Sequence, residues 1–261
     1  MNAASGLLHP FPEWDDRLAA AFTTRNLPPG AQPLDAYDRL NLGFRSGGDV
    51  DRAAGNWSEV LAAGRLAGRP LALPRMIHGD AWADVDALRD APSRPGFATW
   101  EPEGCDALAA SVRGRVLAVT MADCLTALVW DPESSTIAAV HAGWRGTRAR
   151  ILHKLLLSLI QAGRLKPAST WVAFGPCLRP QSLVVGPEVA AQLDPRFLIP
   201  HAGQVHFDMP ADNRAQALEC GIAPEHIRDL GGDTLSEPRR YFSYRRDGAA
   251  SGRLAAFISL R

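Results

Sequence analysis

The sequence predicts an α/β fold: a single-domain layered sandwich of mixed β-sheets flanked by helices, running over residues 1–261. Three observations carry this expectation. Short apolar, partly β-branched runs alternate along the chain with longer segments of helical period. Two of the runs are joined only by Asp131-Pro132-Glu133-Ser134-Ser135, a turn too short for a crossover, so at least one strand pair is antiparallel. Finally, 261 residues that are 46% hydrophobic and 21% charged have the composition of an ordinary globular protein at the upper edge of what one core serves.

In chain order, Ala19–Thr24 reads as a first strand leading into a turn-rich stretch at Pro28-Pro29-Gly30. Asp49 or Asp51 can cap a helix reaching about Gly68, with Val50, Ala54, Trp57, Val60 and Leu61 on one face. The Pro/Gly-rich region 89–105 is expected to be a loop. Arg115–Met121 and Thr126–Trp130 read as buried strands, and Thr136–Val140 as the strand returning from the Asp131–Ser135 turn. Thr147–Ala162 is the clearest helix: Ile151, Leu152, Leu155, Leu156, Leu159 and Ile160 keep helical spacing and Gly163 supplies a stop. A strand at Thr170–Phe174, a helix at Ala211–Cys220 and a closing strand at Arg253–Leu260 complete the pattern.

Lysine plus arginine and aspartate plus glutamate number 28 each, so no long-range field recruits nucleic acid or an anionic membrane. Any anion must be met by local arginines. No run approaches the ~18 apolar residues of a membrane span, and Met1–Asp15 lacks a secretory signature. The four cysteines, at 105, 124, 177 and 220, form no C-x-x-C pair. A cytoplasmic monomer or homodimer with reduced thiols is expected.

Chemistry concentrates in three segments. His141-Ala142-Gly143-Trp144-Arg145-Gly146 ends an apolar strand, Cys124 follows Met121-Ala122-Asp123, and His78 stands in His78-Gly79-Asp80. Alone, Cys124 reads as a small buried hydrophobe and His141 as a packed turn residue. Together, two imidazoles and a thiol suit a soft divalent metal with a fourth position open. A Cys124–His141 nucleophile–base pair is the alternative, although it has no use for His78. Zinc fits better than copper: seven histidines without a His-x-His pair cannot build a multicopper cluster, and nothing fixes an axial ligand among Met76, Met121 and Met209. Neither H-x-E nor P-C-x-x-C of the nucleobase deaminases occurs. Arg45, in a glycine-rich loop ahead of a helix, and Arg145 are candidates to steady an anion, while Tyr244, Arg245 and Arg246 combine an aromatic face with guanidinium forks.

These segments, with Phe22-Thr23-Thr24-Arg25, Asn41-Leu42-Gly43, Asp106-Ala107-Leu108, Gly175-Pro176-Cys177, Val185–Val189 and Phe242–Gly248, resemble the bacterial laccase-domain family, also called multicopper polyphenol oxidoreductase-like or peptidoglycan-editing factor proteins. The resemblance covers most of the chain. It implies zinc held by His78, Cys124 and His141, and phosphorolysis of adenosine, inosine and methylthioadenosine together with deamination of adenosine. Small-molecule nucleoside and phosphate are then the partners. Copper-dependent polyphenol oxidation and a cysteine amidase acting on peptidoglycan precursors are the alternatives attached to the same family. The chain departs from the family pattern at Met76 (for glutamine), Thr126 (for proline), Leu183-Val184 (for Tyr-Glu) and Asn26–Gly30 (for a Gly-Gly turn).

Overall fold

The computed structural model describes residues 6–26, 40–46, 48–88 and 99–261; the turn at Pro28-Pro29-Gly30 and most of the 89–105 loop lie outside them. Two six-stranded sheets are stacked face to face. The first is built from β1 (Leu7–Leu8), β2 (Leu18–Thr23), β3 (Leu71–Ala72), β5 (Thr99–Trp100), β7 (Val116–Met121) and β15 (Leu254–Leu260), in the order β1-β2-β15-β7-β3-β5. The second is built from β4 (Trp82–Asp84), β6 (Ala107–Ala110), β8 (Leu125–Asp131), β9 (Thr136–Ala142), β10 (Trp171–Phe174) and β14 (Ile227–Asp229), in the order β14-β10-β8-β9-β6-β4. Both are mixed: β15 runs antiparallel to β2 and β7 while β3 is parallel to β7, and β8 runs antiparallel to β9 and β10 while β14 is parallel to β10.

Alternation along each strand explains the layering. In β2, Ala20 and Phe22 point between the sheets, whereas Ala19 and Ala21 meet α1 (Val50–Ala63) through Trp57, Val60 and Leu61. In the second sheet, Leu128, Trp130, Ile137 and Ala139 face the first sheet. Ala127, Val129, Ala138 and Val140 instead pack on Ile151, Leu152, Leu155 and Leu156 of α3 (Ile151–Gln161) and on Ala217 of α5 (Met209–Glu219). The order is thus helix, sheet, sheet, helix, and strands covered on both faces read as unbroken apolar runs. A separate antiparallel sheet of β11 (Val184–Val185), β12 (Leu198–His201) and β13 (Gln204–Phe207) lies beside α5 and was not legible as strands. Among the described residues no helix is long and apolar enough to cross a membrane.

Several expected elements shift. α1 starts at its Asp49 cap, whose side chain accepts from the amides of Asp51 and Arg52, but it ends at Ala63 rather than near Gly68. The single helix expected over 147–162 is two. α2 (Trp144–Arg148) begins on the Ala142-Gly143 turn itself, and Arg150, with φ at 63°, breaks the chain before α3. Apolar periodicity located the packed face of α3 and is blind to one left-handed residue. Most consequential, β7 and β8 belong to different sheets, so the hairpin is β8–β9 alone and Ala122–Cys124 is a crossing between layers. Asp123, with φ at 94°, makes that sharp crossing.

Candidate metal centre

Register brings the three ligands together. In the β8–β9 ladder Thr126 faces His141 and Leu125 faces Ala142, so Cys124 comes opposite Gly143. A Cβ on Gly143 would stand 2.7 Å from Cys124 Sγ and 3.5 Å from His78 Nδ1. Glycine is therefore needed here for space. His78 enters from the loop after Arg75 with φ at 60°, and its ring lies 4.9 Å from that of His141 at 70°. One ligand atom from each of His78, Cys124 and His141 lies within 4.8 Å of the others, and among the described residues they are the one such group of three.

Asp106, fully buried at the start of the loop-to-β6 turn, organises both histidines. Its Oδ1 lies 2.9 Å from His141 Nδ1 and accepts from the His78 amide at 2.9 Å. Its Oδ2 accepts from the amides of Ile77 at 3.0 Å and Gly79 at 2.9 Å. Burial works to raise this carboxyl, yet the His141 ring and the amides of Gly79 and Ile77 hold it below the usual carboxylate range. With Nδ1 committed to a carboxylate, His141 keeps Nε2 for a metal, the arrangement that fixes tautomer and ring orientation at zinc sites.

Removal from water raises the Cys124 thiol, but the imidazoles of His141 and His78 more than offset this and bring it down to about 6. His141 moves the opposite way: burial lowers it, and the Cys124 thiolate and Asp106 overcome burial and raise it. The other three cysteines are pushed up by burial, to about 11 at Cys105, 12 at Cys177 and 11 at Cys220. Only Cys124 is thus prepared to be a thiolate at neutral pH, as a metal ligand or nucleophile requires. The soft N2S donor set, the space left by Gly143 and the carboxylate behind His141 all fit a divalent ion of the zinc type with one position open.

The three residues sit at the wall of a cavity of about 740 Å3. Met76, Met121, Leu178, Leu183 and Met209 supply apolar surface, and Arg145, Tyr244, Arg245 and Arg253 supply polar groups. Arg145 is exposed, with its guanidinium 4.2 Å over the Trp144 ring. Tyr244 and Arg245 begin α6 (Tyr244–Asp247), where the Arg245 amide donates to Asp123 Oδ2 at 2.6 Å and its Nη1 to the Val184 carbonyl at 2.9 Å. Arg246 is placed otherwise. It is absent from the cavity wall, and its guanidinium donates to the carbonyls of Thr234, Leu235 and Tyr241 and to Asp247. Arg45 lines a smaller adjoining chamber, where it pairs with Glu101.

Asp106, Asp123 and Arg253 were missed as site residues. Asp123 carries its left-handed backbone immediately before Cys124, accepts from Thr234 Oγ1 at 2.7 Å, and takes the Leu178 amide on its carbonyl. It thereby clamps three distant segments around the thiol. Its place inside Ala122-Asp123-Cys124-Leu125 was the available signal. Of the departures, Met76 and Leu183 line the cavity, so apolar groups stand there; Thr126 is buried beside His141 with no partner for its hydroxyl among the described residues.

The chain is 33% identical over 244 residues to a purine nucleoside phosphorylase of Deinococcus radiodurans, covering 92% of this chain and 88% of that one. It is 31% identical over 159 residues to adenosine deaminase RL5 of an unknown prokaryotic organism, covering 58% and 60%. Its fold matches the crystal structure of YlmD from Geobacillus stearothermophilus with a TM-score of 0.89 at 26% identity, over 100% of this chain and 98% of that one. Residues 19–261 match the family described as multi-copper polyphenol oxidoreductase laccase, and the chain belongs to that family.

Proposed function

We propose that this chain is a zinc-dependent purine nucleoside enzyme that phosphorolyses adenosine, inosine and methylthioadenosine and deaminates adenosine. The observation that carries the reading is the His78–Cys124–His141 set at the wall of a cavity large enough for a nucleoside. The names of the relatives supply the purine. His78, Cys124 and His141 hold the ion, and Asp106 holds the His141 ring and the His78 backbone amide. When bound, the ion supplies Lewis acidity to the polar end of the cavity.

The apolar wall takes the base and sugar, and Arg145 and Arg245 bring positive charge to its rim. In phosphorolysis a phosphate oxygen forms a bond to C1′ of the ribose. The bond from C1′ to the purine nitrogen breaks with its electron pair on the base, which takes up a proton. Confining both reactants is the chief contribution a cavity of this kind can make. A copper polyphenol oxidase fits less well, because seven histidines without a His-x-His pair cannot supply a multicopper cluster. The test is incubation of purified protein with a nucleoside panel, with and without phosphate, alongside metal analysis. About one zinc per chain and phosphate-dependent release of free base are expected. Metal-free protein that is inert to every nucleoside and alkylated at Cys124 would instead favour the amidase reading.

A further inference from the structure

Trp144 and Arg145 of α2 form part of the main cavity wall, yet a helix of five residues is too short to hold itself. Gly143 joins it to the metal centre at one end, and left-handed Arg150 parts it from α3 at the other. Its placement must come from outside. Trp144 packs on the apolar cluster shared by α3 and α5, but a non-directional contact does not fix how a helix is turned about its axis.

Directional bonds do. Thr147 of α2 is buried against α5, where Asn213 and Gln216 are buried as well. Asn213 Nδ2 donates to Thr147 Oγ1 at 2.9 Å and to the Met209 carbonyl at 2.9 Å. Gln216 Nε2 donates to the Thr147 carbonyl at 2.9 Å and to Asp212 Oδ1 at 2.8 Å. The Thr147 hydroxyl in turn donates to the Ala142 carbonyl at 3.3 Å, and its amide to the Gly143 carbonyl at 2.8 Å. Thr147 thus ties the turn beside Cys124 to α5 and, through Asn213, to Met209 on the cavity wall.

Arg145 depends on this tie. It stands two residues before Thr147, about 200° away around a helix, so turning Thr147 inward sends Arg145 out to the cavity. Beyond the Trp144 ring beneath it, the Arg145 guanidinium has no hydrogen bond or ion pair among the described residues. Its aim is therefore set by the turn of α2. The metal ligands are fixed without α2: Asp106 holds His141 and the His78 amide, and Asp123 shapes the crossing that carries Cys124.

We propose that Thr147 and Asn213 are positioning residues for Arg145, holding α2 so that its guanidinium meets the phosphate at the cavity rim. In phosphorolysis that role rests on the function proposed above; the hold on α2 does not.

The test takes zinc-loaded protein and removes the same bond from its two sides, in Thr147→Val and in Asn213→Leu. Thr147→Ser keeps the hydroxyl, and Arg145→Gln removes the group being aimed. In the first two variants the KM for phosphate should rise about 10-fold, the lower end of what one charge-assisted contact supplies, with kcat within about twofold and zinc content unchanged. Thr147→Ser should stay near wild type. The double variant Thr147→Val with Arg145→Gln should be scarcely worse than Arg145→Gln, because both changes act on one contact. Additive losses in the double variant, or an unchanged KM in both Thr147→Val and Asn213→Leu, overturn the proposal. Hydrogen exchange over residues 143–149 is read on the same proteins and needs no turnover. Faster exchange there, with α3 still protected, is expected in both variants, and unchanged exchange overturns the proposal whether or not the protein is active. A wild-type protein that converts no nucleoside, with exchange faster in both variants, refutes the proposed function alone and supports the hold on α2.

Discussion

The two ends of the β8–β9 hairpin are each closed by a fully buried aspartate, and they use it differently. At the turn, Asp131 accepts from the amides of Glu133 at 3.0 Å and Lys166 at 2.9 Å, and from the hydroxyls of Ser134 at 2.8 Å and Ser169 at 2.7 Å. At the other end, Asp106 accepts from three amides and the His141 ring. Burial pushes both carboxyls up and the surrounding donors bring both below the usual range. The donors at Asp131 close a turn and tie to it the loop that precedes β10. Those at Asp106 belong to a left-handed histidine and a buried imidazole, two arrangements that cost free energy and recur where a site is being held. A saturated buried carboxylate is thus a structural device in both places, and what it orients decides whether it is also a functional one.

The largest effect that can break this comparison is at the ligands themselves. His78→Ala, at an exposed loop position, should leave the fold intact while zinc occupancy collapses and nucleoside turnover falls by about 10^3 or more, since ligands act as one unit. Full metal content and full rate in that variant would refute the three-residue site.

The aspartates follow. Asp106→Asn and Asp131→Asn each turn an accepting oxygen into an amide NH2 that faces a donor, and each should lower stability by roughly 2–4 kcal/mol in urea unfolding. Only Asp106→Asn should also weaken zinc binding, by about 10- to 100-fold, the range seen when a carboxylate behind a ligating histidine is altered. Equal zinc affinities in the two folded variants would show that Asp106 is no more than another Asp131.

Asp212 sharpens the contrast with the smallest change. It is buried in α5 with one donor, Gln216 Nε2 at 2.8 Å, and burial pushes it up to about 6. The unfolded chain, with an ordinary carboxyl near ~3.9, binds fewer protons than the native state between about pH 4 and 6. Stability therefore falls as pH rises through that window, and the penalty is complete above pH 6. Asp212→Asn keeps the accepting oxygen and should gain at most roughly 3 kcal/mol at pH 7.5 and nothing at pH 4. An unchanged urea midpoint at pH 7.5 would mean that nearby Arg150 and Arg196 already neutralise the charge.

By itself the sequence determined the alternation of strands and helices, the β8–β9 hairpin, the packed face of α3, and His78, Cys124 and His141 as a set. These are properties of local period, turn chemistry and residue type, which need no knowledge of distant neighbours. Only the tertiary structure decided that β7 and β8 lie in different layers, that one residue splits the 144–161 helix, and that Asp106, Asp123 and Arg253 belong to the site while Arg246 turns to backbone carbonyls. The three added site residues rest on partners remote in the chain: Asp106 on His141, 35 residues on, Asp123 on Arg245, 122 residues on, and Arg253 on Asn41, 212 residues back. A buried carboxylate or guanidinium must find its partner somewhere, because burial without one is too costly. Local pattern states that need, and packing alone selects which residue meets it.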